Sequence, residues 1–349
     1  MSLRPHRPEP QPSHAASSVD RNSSPRRAAM RLRAGEQLIL TDTYSTGLAI
    51  MAQLRALLPA PADDAGYQAR RSFRHSFGAA SQRLLAPVVD HHLALAEAPA
   101  IGFLQQLYPE LSRFALSFAD AQDLYSAWIW YTKGAHLAVL GYRVYPFYGT
   151  YVPTRVTHLE LFATWLSQYQ GPRTRAVDVG TGCGVLALML CKAGFERVLA
   201  TDDNPNAIIS VQRQLARLPS PLPVDLEHGD LLGADPAPAE LIVFNPPWTQ
   251  GEVETLLDGA LYYEPGLFER FFDQALARLT PTGRVVLLFS SLISLVQPDT
   301  PHPILTELER GRFTLVQKLQ RKVRASDTPG AGPRRKTRER VEIWELIPA

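Results

Sequence analysis

The sequence predicts an α/β protein, with a mostly parallel sheet carrying helices on both faces and a small all-helical domain in front of it. Three observations lead there. Arg175 to Val179 is a largely apolar run that ends in Gly180-Thr181-Gly182-Cys183-Gly184, and a Leu- and Ala-rich helix over 185–193 follows, stopped by Gly194. Further strand-like runs recur at Arg197–Thr201, Val224–Leu232 and Leu241–Phe244. Between Gly35 and about Tyr142, by contrast, the pattern is helical, with no convincing strand alternation.

The glycine turn is the first candidate site. Three glycines in five residues leave a backbone surface without Cβ atoms, where N–H groups at a helix start are open to a ligand. The spacing is G-x-G-x-G and not the dinucleotide fingerprint G-x-G-x-x-G. The second strand ends at Asp202, about 20 residues further on, where an acid can accept both hydroxyls of a ribose. Asp203 is its neighbour, and the pleat allows only one of the two to face the crevice. The third strand ends in Gly229-Asp230, and the fourth runs into Asn245-Pro246-Pro247-Trp248. These groups converge on one edge of the sheet, where open α/β sheets bind ligands.

Taken in order, D-V-G-T-G-C-G at Asp178–Gly184, Asp202, Gly229-Asp230 and N-P-P-W at Asn245–Trp248 resemble the motifs of Rossmann-like S-adenosylmethionine-dependent methyltransferases. The likeness is to the N-P-P-[YFW] branch that methylates nitrogen, which includes rRNA base and release-factor glutamine methyltransferases. It covers Tyr145 to the C-terminus. It implies a seven-stranded sheet whose last two strands, Phe313–Val323 and Arg340–Ile347, form an antiparallel pair. It implies S-adenosyl-L-methionine as cofactor, held by Asp178, Gly180, Thr181, Gly182, Gly184, Asp202, Asp230 and Asn245.

The chemistry of the fourth strand end agrees. An amino or amide NH₂ is a poor nucleophile because its lone pair is delocalised. The Asn245 side-chain oxygen and the Pro246 carbonyl can accept its two N–H groups and aim the lone pair. Pro246 and Pro247 stiffen the turn, and Trp248 offers a plane for stacking a base or an amide. The catalytic candidates are therefore Asn245, Pro246, Pro247 and Trp248. The family more often carries Tyr or Phe where this chain has Trp248.

Tyr145 to Arg155 resembles the segment that precedes the catalytic domain in the glutamine and rRNA enzymes, where a hairpin and an aliphatic-Pro turn cover the cofactor. Tyr148, Tyr151, Pro153 and Thr154 then become candidates to line the substrate pocket, with Trp248. Thr154 or Thr157 is expected to cap a helix over 156–168. After the N-P-P-W turn, 252–258 reads as an acidic lid, and Tyr262 and Tyr263 either touch substrate or anchor the next helix.

The 349 residues, 45% hydrophobic and 20% charged, suffice for two domains, and the net charge of +2 neither demands nor excludes a nucleic-acid partner. Cys183 and Cys191 form neither a disulfide framework nor a zinc set, and no metal is expected. The apolar run from Val285 to Val296 is too short and too serine-rich to span a membrane, and no apolar h-region follows the early arginines, so no signal peptide is expected and the expected location is cytoplasmic. Residues 1–34, rich in Pro, Ser and Arg, are expected to be a disordered basic arm. Residues 35–144 are expected to be the helical substrate-recognition domain and 145–349 the methyltransferase domain. Between Arg321 and Arg340 eight basic residues stand against two acids around the tip of a hairpin. That tilts the expected substrate towards an exocyclic amino group in RNA, foremost rRNA, with a protein glutamine amide or a small molecule as the alternatives.

Overall fold

The computed structural model describes residues 3–58, 67–153, 155–252, 258–324 and 338–349. The chain divides into two compact units, Arg7–Ile129 and Trp130–Ala349 with Met1–His6.

The first unit differs from the all-helical expectation. It contains β1 (Ser17–Val19), α1 (Pro25–Arg33), β2 (Leu38–Leu40), α2 (Tyr44–Leu57), α3 (Tyr67–Ser81), β3 (Leu84–Val89), β4 (His92–Leu93), α4 (Gly102–Leu107), β5 (Arg113–Ser117) and most of α5 (Phe118–Lys133). β1, β2 and β3 are parallel, and β4 and β5 run antiparallel to β3. The physical reason is burial. Leu84, Leu85 and Ala86 are all fully buried, so β3 is a continuous apolar run, which periodicity cannot tell from a buried helix. Its turn into β4 puts Asp90 and His91 at positive φ, a hairpin made without the usual glycine. The basic arm is likewise structured where expected to be disordered. Ser24 caps α1 with Pro25 in its first turn, the helix buries Ala28, Ala29 and Leu32, and β1 joins the sheet.

The second unit begins with a hairpin, β6 (Ala135–Leu137) and β7 (Tyr142–Val144), followed by α6 (Thr157–Gln168), β8 (Arg175–Val179), α7 (Val185–Lys192), β9 (Arg197–Asp202), α8 (Pro205–Ala216), β10 (Val224–His228) and β11 (Ala239–Phe244). Then come β12 (Thr249–Gln250), β13 (Tyr262–Tyr263), α9 (Leu267–Arg278), β14 (Leu279–Ser290), α10 (Leu292–Val296), α11 (Pro303–Glu309), β15 (Phe313–Lys322) and β16 (Arg340–Pro348). The unit starts earlier than the expected Tyr145 because Leu137, Leu140 and Val144 of the hairpin are buried in the same core as α6 and α7.

Seven strands form one sheet in the order β10-β9-β8-β11-β14-β16-β15. All neighbours are parallel except β16, which runs antiparallel to β14 and to β15. This is the expected sheet with its terminal antiparallel pair. Alternation along the central strands feeds two cores. Ala176, Leu241, Val243, Val286 and Leu288 pack with α6 and α7, whereas Val177, Val179, Ile242, Phe244, Val285 and Leu287 pack with α9. Buried on both faces, the strands read as unbroken apolar runs.

The strand order reverses between β8 and β11, and that reversal is the switch point at which open sheets leave a crevice. Register makes the crevice specific. Val179 pairs with both Thr201 and Phe244, Phe244 pairs with Leu287, and Asp202 pairs with His228. The loops after β8, β9, β10 and β11 therefore leave the sheet at one level.

Candidate active site

The glycine loop turns as only glycine does easily. Gly180, Gly182 and Gly184 have φ of 63°, 55° and 82°. A Cβ on Gly184 would lie 2.9 Å from Val211 Cγ2, while one on Gly182 would meet nothing within 4 Å. The loop is tied to the next strand by Thr181 N–H donating to the Thr201 carbonyl at 2.8 Å.

Asp178, fully buried below the loop, organises it. Its Oδ2 accepts from Thr181 Oγ1 at 2.7 Å and from the Ala187 N–H at 2.9 Å, joining strand, loop and helix. Its Oδ1 is buried and has no hydrogen-bond partner among the described residues. Burial pushes this carboxyl up to about 7, against the two hydrogen bonds that stabilise its charge. Burial also pushes the Cys183 thiol up to about 12, which leaves it un-ionised and inert at neutral pH.

Of the two candidate ribose acids, Asp202 is the one that faces the loop. Its Oδ2 accepts from the Gly182 N–H at 2.8 Å and its Oδ1 from the Asn204 N–H at 2.9 Å. Burial raises it to about 6. The Asp203 side chain is exposed, and its carbonyl bonds His228 Nε2 at 2.9 Å. Asp230 is exposed too, 3.6 Å from Arg270 Nε on α9. Its loop is nonetheless joined to the second strand, because the Gly229 N–H donates to the Asp202 carbonyl at 3.0 Å.

Asn245 follows β11 directly and is half-buried, next to a buried Pro246 and a half-buried Pro247. Trp248 turns back on it. The indole Nε1–H donates to Asn245 Oδ1 at 3.2 Å and to the Leu288 carbonyl at 3.3 Å. The ring packs against both cores and meets the His158 ring edge-to-face, at 5.5 Å and 86°. One edge of Trp248 is thus committed within the protein. Beyond it, Gln297 at the end of α10 bonds the backbone N–H and carbonyl of Gln250 at 2.9 and 2.7 Å, which ties β12, itself paired with β13, to that helix. Tyr263 is buried edge-to-face against Phe268, so it anchors α9, and Tyr262 is half-exposed. Most of the acidic 252–258 segment lies outside the described residues.

Tyr148 and Tyr151 are half-buried and Pro153 is buried, while Thr154 lies outside the described residues. Thr157 opens α6 but does not cap it; Val156 holds the cap position without a side-chain bond. The segment is seated by a residue that sequence reasoning did not single out, Asn204. Its Nδ2 donates to the Gly149 carbonyl at 2.9 Å, and its Oδ1 caps α8 through the Asn206 N–H at 3.0 Å. An Asn-Pro pair before a helical run was the available signal. Further along α8, Ser210 Oγ accepts from the Phe147 N–H and Gln214 Oε1 from the Tyr145 N–H, both at 3.0 Å. Four helix residues rise about 6 Å and two extended residues about 6.6 Å, so helix and strand-like chain stay in step.

The basic hairpin carries less free charge than its composition implies. Arg321 and Arg324 both pair with Glu160 of α6, at 3.3 and 2.8 Å, and Arg155 pairs with buried Glu339 at 3.3 Å. Residues 325–337 lie outside the described residues. Among the described residues no cluster of three or more His, Cys, Asp or Glu is placed to hold a metal. No helix there is long and apolar enough to cross a membrane.

The switch-point crevice is thus lined by a glycine loop, a second-strand acid and an Asn-Pro-Pro-Trp turn, the set of motifs that in the sequence resembles Rossmann-like methyltransferases. Comparison with known families agrees: residues 159–297 match the methyltransferase small domain. Over 97 residues the chain is 40% identical to the release factor glutamine methyltransferase of Deinococcus radiodurans, covering 27% of this chain and 34% of that protein. It is 36% identical over 93 residues to the ribosomal protein L11 methyltransferase of Exiguobacterium sibiricum, covering 27% of this chain and 28% of that one. Over 126 residues it is 30% identical to the tRNA1(Val) (adenine(37)-N6)-methyltransferase of Aeromonas salmonicida, covering 34% of this chain and 53% of that one. The chain thus spans between about a quarter and a half of these relatives' lengths.

Proposed function

We propose that this protein is an S-adenosyl-L-methionine-dependent N-methyltransferase whose acceptor is an exocyclic amino group of a nucleobase in RNA, foremost rRNA. The observation that carries the reading is a register: Val179 pairs with Phe244, so Gly180 and Asn245 begin adjacent loops at the switch point. A cofactor loop and a nitrogen-orienting turn are thereby neighbours.

The residues present fit the cofactor. Gly182 faces open space at a left-handed φ that disfavours a side chain, and Asp178 Oδ1 is a buried acceptor with no partner among the described residues. The backbone of Gly180–Gly184 and the carboxylates of Asp178, Asp202 and Asp230 would hold it, with Asp202 accepting from the ribose hydroxyls. When bound, the cofactor supplies a methyl group already activated on a sulfonium. The protein's task is then alignment. Asn245 Oδ1, with one lone pair engaged by Trp248, keeps the other for an acceptor N–H. The Pro246 carbonyl takes the second N–H and so directs the nitrogen lone pair. Tyr148, Tyr151 and Pro153 would line the entrance. The same geometry suits a glutamine side-chain amide, a second reading favoured by the likeness to the Deinococcus radiodurans enzyme.

Purified protein incubated with methyl-labelled cofactor and a cell lysate, then digested separately by nuclease and by protease, tests the reading. Label released by nuclease is the expected result. Label released only by protease moves the acceptor to a protein amide. Label in neither fraction overturns both.

A further inference from the structure

One end of α8 carries a surface that the reaction does not use. Arg217, the C-cap of α8, is exposed, with its guanidinium 4.7 Å from the Tyr131 ring centre and 4.3 Å from that of Tyr145. One turn earlier, Arg213 lies 4.4 Å from the Phe147 ring centre and donates to the Tyr131 hydroxyl at 2.9 Å. Arg143 bonds the carbonyls of Lys133 and Gly134 at 3.2 and 2.9 Å, which fixes its position while leaving its charge uncompensated. Tyr131, Thr132, Tyr145 and Arg217 line an open depression of about 470 Å³.

Charge sets this surface apart. No Asp or Glu occurs between Trp130 and His158, nor between Asn204 and Val224, the two stretches that build it. Among the described residues no carboxylate lies within ion-pair distance of Lys133, Arg143 or Arg217, and while the backbone N–H of Arg217 bonds the Gln214 and Leu215 carbonyls, its guanidinium N–H groups bond no protein acceptor there. By contrast Arg321 and Arg324, in the hairpin that composition singled out, share one glutamate. Stacking on rings uses the faces of a guanidinium and leaves its edge N–H groups to bind a phosphate in a fork. Rings interleaved with such cations also offer bases a place to stack.

We propose that this depression is a docking surface for a single-stranded RNA segment, with Arg217 and Arg143 on phosphates and Tyr145 beneath a base; the proposal rests on the RNA reading above. α8 joins the surface to the crevice. From Asn204, bonded to Asp202, to Arg217 the helix spans about 20 Å, a few nucleotides of strand. Binding at that distance positions an acceptor without touching the reacting atoms.

The test is fluorescence anisotropy with a 5′-labelled 12-nucleotide single-stranded RNA of mixed sequence, titrated at rising KCl. Wild-type protein is expected to bind with strong salt dependence. Arg143→Ala with Arg217→Ala is expected to weaken binding about tenfold or more and to lower the salt slope by about 0.7 per phosphate lost. Arg217→Lys, which keeps the charge but not the fork, is expected to fall between. Variants that bind as wild type does overturn the proposal, as does a wild type that binds no RNA. A polyglutamate peptide that displaces the RNA as well as unlabelled RNA does overturns it too, in favour of an acidic protein partner. Methyl transfer to RNA, measured in parallel, separates the two claims. Undiminished transfer by the double variant removes the surface and leaves the enzyme reading standing. Arginine-dependent binding with no transfer to RNA does the reverse.

Discussion

Trp248 holds the side-chain oxygen of Asn245 through its indole N–H, 3.2 Å away, and the same N–H reaches the Leu288 carbonyl on the neighbouring strand. An amide can turn over and exchange its oxygen for its nitrogen; a donor aimed at one end prevents that. Trp248→Phe keeps the ring but removes the donor. The expected result is a methyl-transfer rate lower by about tenfold, the worth of one hydrogen bond, with cofactor affinity unchanged within about twofold. Single-turnover kinetics beside calorimetric titration measures both.

Asn245→Ala removes the acceptor itself. Transfer is expected to fall by about 100-fold or more while cofactor binding stays within a few fold, because the lost interaction forms with the acceptor nitrogen. Equal loss of both quantities would count against that role.

Gly182 and Gly184 separate folding from binding. Gly184→Ala combines a left-handed φ with a contact 2.9 Å from Val211, and is expected to cost about 2–3 kcal/mol in chemical denaturation. Gly182→Ala meets no protein atom, so its cost should be the backbone strain alone, about 1 kcal/mol. Its methyl group instead enters the space over the loop, and cofactor affinity is expected to fall by about tenfold or more.

Asp202 and Asp178 give the protein a signed pH dependence. Burial raises them to about 6 and about 7 from an ordinary 3.8. Between pH 4 and 7 the folded state therefore binds more protons than the unfolded chain, so stability declines as pH rises through that window. Asp178→Asn should flatten the decline, read as a smaller difference between melting temperatures at pH 5 and pH 8. Cofactor affinity should run the other way, improving as pH rises through about 6 and Asp202 ionises. In Asp202→Ala the part of that pH dependence centred near 6 should be lost, leaving any contribution of Asp178 near 7, and affinity should be weaker throughout.

The crevice was legible in the sequence because its signals are local. Glycines at 180, 182 and 184, an acid closing the second strand and Asn-Pro-Pro-Trp closing the fourth can each be read within a few residues. The sheet of the first unit was not. β3 is buried without alternation, and the turn at Asp90-His91 adopts positive φ without glycine. Long-range partners were equally hidden. The bond from Asn204 reaches 55 residues back to Gly149, and that from Trp248 reaches 40 residues on to Leu288. Whether Asp202 or Asp203 faced the loop depended on the pleat at the strand end, which one residue of register reverses.

The approach to the crevice is fastened by side chains of α8 that grip main chain alone: Gln214 the N–H of Tyr145, Ser210 that of Phe147, Asn204 the carbonyl of Gly149. Those bonds ask of 145 and 147 only a backbone N–H, which every residue but proline supplies, and of 149 only a carbonyl. In evolution the side chains bordering the entrance are thus free to drift while their mooring holds. A lineage can trade one acceptor for another there without having to reinvent the fold that presents it.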